Sequence, residues 1–173
     1  TRLDPEYELI DTGIFDKDKY FDIYIEYAKA DRDDILIKIS VANRGPKKAE
    51  LTILPTAWFR NIWSWGYDNA KPKMSVENVS TIKIEHELLP TYRLYAEQPE
   101  QLVFCDNETN NERLFGKPND SKYCKDGIHE YIVNGLPEIN TEQIGTKASA
   151  VYSGFIKSGE TRVIRLRLST KDL

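Results

Sequence analysis

Two stretches near the start of the chain, YFDIYIEYA (residues 20–28) and DILIKISV (residues 34–41), determine the fold class. Both alternate apolar and polar residues with a period of two, which is the period of a β-strand. Ile23 and Ile25 share one face of the first stretch, and Ile37 and Ile39 face inward from the second. The link between them, KADRDD, is short and polar. We therefore predict that the two stretches form an antiparallel hairpin.

The same alternation continues along the rest of the chain. Further strands are predicted at residues 49–59, 79–87, 91–97, 101–105, 147–156 and 161–169. The last two are joined by KSGE and are predicted to form a second hairpin. Pro55 limits its strand to a sheet edge or a bulge. No long helical pattern is found, and only a short turn around 106–116 or 137–144 is expected to be helical. The sequence thus predicts an all-β fold, an antiparallel β-sandwich.

One segment, from about 106 to 145, has a different composition. It is rich in Asn, Asp, Gly and Lys, with isolated aromatic residues. A loop this long inside a compact domain is usually functional or held by a partner. We predict a single domain over residues 1–173 that contains this polar, loop-rich insertion. Because the chain opens without an initiator methionine and stops directly after a strand, we interpret it as a piece of a longer polypeptide.

The bulk composition excludes several functional classes. The 173 residues are 40% hydrophobic and 30% charged, which is typical of a soluble globular protein. The net charge of −4 provides no basic surface for nucleic acid, and no apolar run is long enough for a membrane span. Cys105 and Cys124 match no zinc signature, and reduced thiols fit them better than one disulfide. The absence of a targeting segment favours a cytoplasmic location.

Catalytic, metal and cofactor signatures are not found. The chain contains no phosphate-binding glycine loop, zinc-protease helix or nucleophile elbow. His86 lies in phase with Ile82 and Ile84, so we interpret it as a core or sheet-surface histidine, and His129 as a strand-flanking residue. The acidic stretch DKDKYFD lacks the Gly and the closing Glu of a calcium loop. We therefore assign no catalytic residue, no metal site and no cofactor.

The aromatic segment PTAWFRNIWSWGYD, residues 55–68, is the strongest functional signal. It contains all three tryptophans, Trp58, Trp63 and Trp65, beside Arg60 and Asn61. Three interpretations stay open: closure of one end of the core, an anchor for another domain, or stacking on sugar rings. If the segment is a strand, Trp63 and Trp65 share a face and form a common surface.

Several segments, taken in order, resemble a known family. LDPEYELIDTGIFDKDKYFDIYIEYAKAD, VANRGPKKAELTILPTAWFRNIWSWG, RLFG, KDGIHEYIVNG and GTKASAVY are similar to a stretch of the large microbial glucosidase-like proteins. Those proteins are related to mannosyl-oligosaccharide glucosidase, glycoside hydrolase family 63. The resemblance implies an N-terminal β-sandwich of the super-β-sandwich type joined to a C-terminal (α/α)6 barrel. It implies inverting hydrolysis of α-glucosidic bonds by two carboxylates of that barrel.

The resemblance also implies a role for this chain. The catalytic carboxylates of the family map onto none of its residues, so the chain is expected to be a non-catalytic domain that packs on the barrel. Residues at the domain interface, or at the rim of a cleft for α-linked oligosaccharide, would be Arg60, Asn61, Trp63, Trp65, Lys125, Asp126 and Gly127. One alternative is an autonomous carbohydrate-binding module that uses Trp63 or Trp65. Another is a small enzyme in its own right.

Overall fold

The computed structural model describes residues 5–66 and 70–173. Residues 1–4 and 67–69, which include Tyr67 of the aromatic segment, lie outside the described residues. The strands in chain order are β1 (Phe21–Asp31), β2 (Asp34–Asn43), β3 (Ala49–Glu50), β4 (Thr56–Trp58), β5 (Lys73–Asn78), β6 (Thr81–His86), β7 (Leu89–Ala96), β8 (Gln101–Cys105), β9 (Ile144–Gly145), β10 (Lys147–Val151), β11 (Phe155–Ile156) and β12 (Thr161–Ser169). Two α-helices, α1 (Asn111–Phe115) and α2 (Gly127–Asn134), and two 3-10 turns, Leu9–Thr12 and Trp63–Trp65, complete the description.

The strands form two layers, as predicted for an antiparallel β-sandwich. The large sheet has seven strands in the order β1-β2-β12-β7-β6-β5-β9. The small layer consists of β4-β10-β8, and β3 pairs with β11 beside it. An isolated bridge between Ile53 and Tyr152 joins these two parts, so that residues 49–58 run antiparallel to residues 147–156. Pro55 therefore lies in an edge segment of this layer, as predicted.

The core lies between the two layers. Alternate residues of β2, β6, β7 and β12 meet Leu102 and Phe104 of β8 and Ala148 and Ala150 of β10. The opposite face of the small layer is also covered. There Val103, Cys105 and Val151 pack against Ile128 of α2, which belongs to the polar insertion. The insertion is thus a third layer that buries the outer face of β8 and β10.

The first predicted hairpin is confirmed and the second is wrong. Strands β1 and β2 pair antiparallel, with Ile23 opposite Val41 and Ile25 opposite Ile39. Strand β12, however, pairs with β2 and β7 in the large sheet, whereas β10 and β11 lie in the small layer. The turn KSGE, which contains Gly159 at φ +74°, connects the two layers. Alternation identifies which residues share a face, but it does not identify the strand that pairs.

The elements that were not predicted include one strand and one helix that contribute to the layers. Strand β5 (Lys73–Asn78) precedes β6 in a hairpin, and α2 covers the small layer. Helix α2 is short, and its apolar residues Ile128, Tyr131 and Ile132 complete only one turn of the helical period. Helix α1 lies within the segment 106–116, where a helical turn was expected.

Asn43, at the end of β2, holds the connection between the layers together. Its side chain is buried, and its Nδ2 donates to the carbonyl oxygens of Lys47 (2.9 Å) and Ile156 (2.8 Å). Its Oδ1 accepts from the N–H of Gly45 at 2.8 Å. Its main chain bonds the KSGE turn, at Gly159 and Glu160. The side chain of Asn43 therefore bonds the turn at residues 44–48 and Ile156 of β11, and its main chain bonds the KSGE turn.

Asn43→Ala should destabilise the domain by about 3 kcal/mol, because the main-chain groups of Gly45, Lys47 and Ile156 lose their hydrogen-bond partner. Urea unfolding followed by circular dichroism measures this free energy. The matched control is Asn78→Ala, at an exposed turn where the side chain accepts from Ser80. That variant should cost less than about 1 kcal/mol. Equal effects of the two substitutions would contradict the role assigned to Asn43.

A buried carboxylate, Asp34, joins the start of β2 to the C-terminal end of the chain. It forms a two-point ion pair with Arg167, at 2.7 and 2.6 Å, and accepts from Lys171 at 3.2 Å. The hydrogen bonds from Arg167, followed by those from Lys171, outweigh the effect of burial and hold the pKa of Asp34 well below its ordinary value of 3.8. The folded state therefore favours the charged carboxylate of Asp34 over its protonated form.

We expect Asp34 to make stability depend on pH in the acid range. A depressed folded-state pKa contributes stability that is complete above the unfolded pKa and is lost as the pH falls below it. The Tm difference between the wild type and Asp34→Asn should therefore be largest near neutral pH and should shrink below pH 3.8. Differential scanning calorimetry from pH 7 to pH 2 measures it, with exposed Asp120→Asn as the control. A difference that stays constant with pH would contradict this account.

Candidate functional site

The aromatic segment leaves strand β4 at Trp58 and turns back through the 3-10 turn Trp63–Trp65, which ends at Gly66 with φ +72°. The prediction that Trp63 and Trp65 share a face is wrong, because it assumed strand geometry. In a 3-10 turn, with three residues per turn, positions i and i+2 point about 120° apart. Trp63 is half-buried, whereas Trp65 is 61% exposed and Trp58 is 60% exposed. Core closure therefore does not account for Trp58 or Trp65.

Glu108, a buried residue just after β8, holds this turn in place. Its Oε1 accepts from the indole Nε1 of Trp63 at 2.9 Å and from Nζ of Lys71 at 2.7 Å. Its main-chain oxygen accepts from the N–H of Lys125 at 2.9 Å. A single acidic residue thus connects the aromatic segment to the insertion. Sequence reasoning missed Glu108 and Lys71, because no local spacing relates residues 63, 71 and 108.

Asn61 has a structural role within the same turn. Its Oδ1 accepts from the N–H of Ser64 at 3.1 Å, and its Nδ2 donates to the carbonyl oxygen of Asn107 at 3.0 Å. Asn107 in turn donates from Nδ2 to the carbonyl oxygen of Phe59 at 2.8 Å. The amide predicted to contact a partner is therefore used largely inside the chain, where it fixes residues 59–64 against the start of the insertion.

Arg60 and Trp65 form the outward surface of the turn. The guanidinium carbon of Arg60 lies 6.0 Å from the centre of the Trp65 ring, at the limit of a cation–π contact. Both residues are exposed. We name the surface formed by Arg60 and Trp65 the Arg–Trp pair. The turn that carries this pair is held by the hydrogen bonds of Asn61 and Trp63.

The second group of predicted site residues begins helix α2. Lys125 is exposed, and its carbonyl oxygen accepts from Nζ of Lys147 at 2.6 Å. Asp126 accepts from Nη1 of Arg113 at 3.0 Å. Gly127 is buried, and a Cβ atom at this position would lie 2.1 Å from the carbonyl oxygen of Glu138. Gly127 is therefore not a surface contact residue. Its lack of a side chain allows the main chain of Glu138 to pack closely against it.

Arg113 of α1 connects the two helices of the insertion. It pairs with Asp126 and with Glu130, one turn apart at the start of α2. Hydrogen bonds from Asn134 and from Arg113 lower the pKa of Glu130. These residues line an open cleft of about 1380 Å³ on the insertion. The two carboxylates share one cation, which suits a structural ion pair more than a general acid and base.

The remaining chemical groups have structural environments. His86 stacks on Phe59 at 5.1 Å, in phase with buried Ile82 and Ile84, which confirms its interpretation as a sheet histidine. Cys105 and Cys124 are free and buried, and burial raises the pKa of Cys105 to about 11. Within residues 5–66 and 70–173, no group of three or more His, Cys, Asp or Glu side chains is placed to hold a metal ion. None of the helices in these same residues is long and apolar enough to cross a membrane.

Comparison with known proteins relates the chain to a yeast protein. No family model matches the chain. It is similar to uncharacterized protein YMR196W of Saccharomyces cerevisiae, with 30% identity over 185 residues. The alignment covers 86% of this chain and 17% of the yeast protein. The chain therefore spans about a sixth of the length of the relative that it matches.

Glu108→Gln should loosen the aromatic turn without unfolding the sandwich. The amide keeps an acceptor for Trp63 but loses the ion pair with Lys71. A loss of about 1–2 kcal/mol in unfolding free energy is expected, since hydrogen bonds to charged groups contribute about 1.5–3 kcal/mol. Tryptophan emission should shift toward the red as Trp63 gains contact with water. Exposed Glu112→Gln is the control, and an identical change in both variants would contradict the role of Glu108.

Proposed function

We propose that this β-sandwich is a non-catalytic domain of a longer polypeptide and that the Arg–Trp pair is where it contacts another domain. The single observation that carries the proposal is an exposed Trp65 beside Arg60, on a turn that buried Glu108 holds in place. Tryptophan and arginine contribute most of the binding energy at protein interfaces. A turn already fixed in the unbound domain loses little conformational entropy when it binds.

The length of the yeast relative supports the idea of further domains, because most of that protein lies outside the aligned region. Following the resemblance to the glucosidase-like proteins, we propose that the partner is a C-terminal (α/α)6 barrel that hydrolyses α-glucosidic bonds. The general acid and base would then belong to the barrel. The neighbouring acids Asp126 and Glu130 of this chain are engaged in ion pairs with Arg113. The buried free thiols agree with a reducing, cytoplasmic setting for the polypeptide.

A second candidate function is carbohydrate binding by the isolated domain. The exposed ring of Trp65, beside the donors of Arg60, favours it, because sugar rings stack on indole while arginine binds hydroxyl groups. Trp63 would contribute less to sugar binding than Trp65, since its indole N–H is bonded to Glu108 and its ring points away from the ring of Trp65. Calorimetric titration of the domain with α-linked glucose oligosaccharides separates the two candidates. Binding that Trp65→Ala abolishes would favour the carbohydrate-binding module.

The proposal predicts that only the longer polypeptide hydrolyses α-glucosides and α-linked disaccharides when both are assayed side by side. Trp65→Ala should lower the Tm of the longer polypeptide, because the interface loses its anchor. The same substitution should change the unfolding free energy of the isolated chain by less than about 0.5 kcal/mol, as expected for an exposed site.

The matched control is Phe115→Ala, at an aromatic residue of α1 that is 65% exposed and lies outside the aromatic turn. It should leave the Tm of the longer polypeptide unchanged. Hydrolysis by the isolated chain would overturn the non-catalytic assignment. An equal effect of Trp65→Ala and Phe115→Ala on the longer polypeptide would overturn the interface. A loss above about 2 kcal/mol in the isolated chain would mean that Trp65 is structural.

A further inference from the structure

The two layers of the sandwich differ in width, and this leaves part of the core-facing surface uncovered. Strand β8, at one edge of the small layer, contacts β5 and β9 of the large sheet. Strand β4 forms the opposite edge of the small layer and therefore lies toward the β1 side of the large sheet. Ile23, Ile25 and Tyr27 of β1 are on the same face as core residues of β2. They are nevertheless 52%, 53% and 71% exposed. An apolar sheet face of this kind normally packs against a second layer.

An apolar groove of about 690 Å³ occupies the uncovered region. The face of β1 and β2 forms its floor, and residues 53–59 of the small layer form one wall. Leu89 and Tyr92 of β7 and Leu168 of β12 also line the groove. The groove therefore resembles a sandwich core in which the large sheet and one neighbouring strand of the small layer are present. Among the described residues, no strand of the small layer covers the face of β1.

The segment that forms the wall of the groove, residues 53–59, includes the edge strand β4 of the small layer. The mutual hydrogen bonds of Ile53 with Tyr152 show that this residue directs its N–H and C=O groups toward the strand at residues 147–156. Main-chain groups alternate in direction along a strand, so the N–H groups of Leu54, Thr56 and Trp58 point toward the groove side. Among residues 5–66 and 70–173, no strand pairs with this edge.

The exposed apolar area is large enough for a specific contact. The five side chains Ile23, Ile25, Tyr27, Trp58 and Leu89 are each about half exposed or more. With side-chain areas of the usual size, they expose on the order of 500 Å², against about 800 Å² per partner in a stable interface. A patch of this size equals the largest apolar patch of a typical monomer, and such patches are often functional. The added main-chain hydrogen bonds of a strand would supply the rest of the contact.

A second copy of this chain is a poor occupant, because a two-fold dimer places the same surface on both sides of the interface. Two grooves that face each other cannot fill each other. We propose that the groove binds an extended segment with apolar side chains at every second position, which pairs with the edge of β4 as an added strand. Its apolar side chains face Ile25 and Tyr27, and its polar side chains face solvent. This surface is separate from the Arg–Trp pair, so the inference goes beyond the proposed interdomain role.

The test uses all 173 residues of the chain and a synthetic peptide of about nine residues, a usual strand length, that alternates valine with lysine and glutamate. Titration followed by amide NMR should shift the N–H signals of Leu54, Thr56 and Trp58 and slow their exchange with solvent. Ile25→Lys places a charge in the groove and should weaken binding at least about tenfold, which corresponds to 1.4 kcal/mol. Tyr24→Lys, on the opposite face of β1, should change the affinity by less than about twofold, since that face does not contact the peptide.

Tyr27→Lys serves as a second groove variant if Ile25→Lys fails to fold, because Tyr27 is the more exposed residue. A peptide of the same composition with its valines in one block is the control for non-specific contact. Equal binding of both peptides, or equal affinity in the groove variants and in Tyr24→Lys, would overturn the proposal. Dimerisation of the chain through the groove, seen by sedimentation without peptide, would also overturn it. Trp65→Ala should leave peptide affinity unchanged, so the two proposals can fail separately.

Discussion

The structure depends on the burial of strands β8 and β10 on both faces. On one face, Phe104, Ala148 and Ala150 complete the core of the sandwich, and on the other, Cys105 and Val151 meet the insertion. A strand covered on both sides has room only for small or apolar side chains, and its polar groups need partners. Ser149, fully buried in β10, donates to the carbonyl oxygen of Pro55 at 3.0 Å. This constraint explains why a polar insertion is folded tightly against a sheet instead of forming a loose loop.

Buried polar residues then join segments that are distant in the chain. Asp34 binds the C-terminal end of the chain through Arg167, Asn43 binds both turns at one end of the sandwich, and Glu108 binds the aromatic turn to the insertion. Each is a hydrogen-bonding centre whose partners come from two or more elements. Removal of such a centre leaves several buried groups unpaired, which costs more than the loss of one exposed contact. The outward surfaces, the Arg–Trp pair and the groove, lie on parts of the chain that are held in this way.

Much of the fold was predictable, and the failures have identifiable physical causes. Alternation placed β1, β2, β6, β7, β8 and β12 correctly, because a half-buried strand must separate apolar from polar residues. It failed at KSGE, since a four-residue turn can close a hairpin or connect two layers with the same residues. It also failed at Trp63 and Trp65, where a strand period was applied to a 3-10 turn. The aromatic segment was recognised as exceptional, but its anchor Glu108 carries no signal in sequence, because its partners are 37 and 45 residues away.

The sequence by itself determined the fold class, the faces of most strands and the edge position of Pro55, because these follow from local periodicity and from the missing N–H of proline. The tertiary structure alone decided which strands pair, which tryptophans stay exposed and where the apolar face of β1 is left uncovered. Those features depend on the relative width of the two layers and on contacts between distant residues. A one-dimensional pattern shows that a residue is apolar, but only packing decides whether the surface opposite it is occupied.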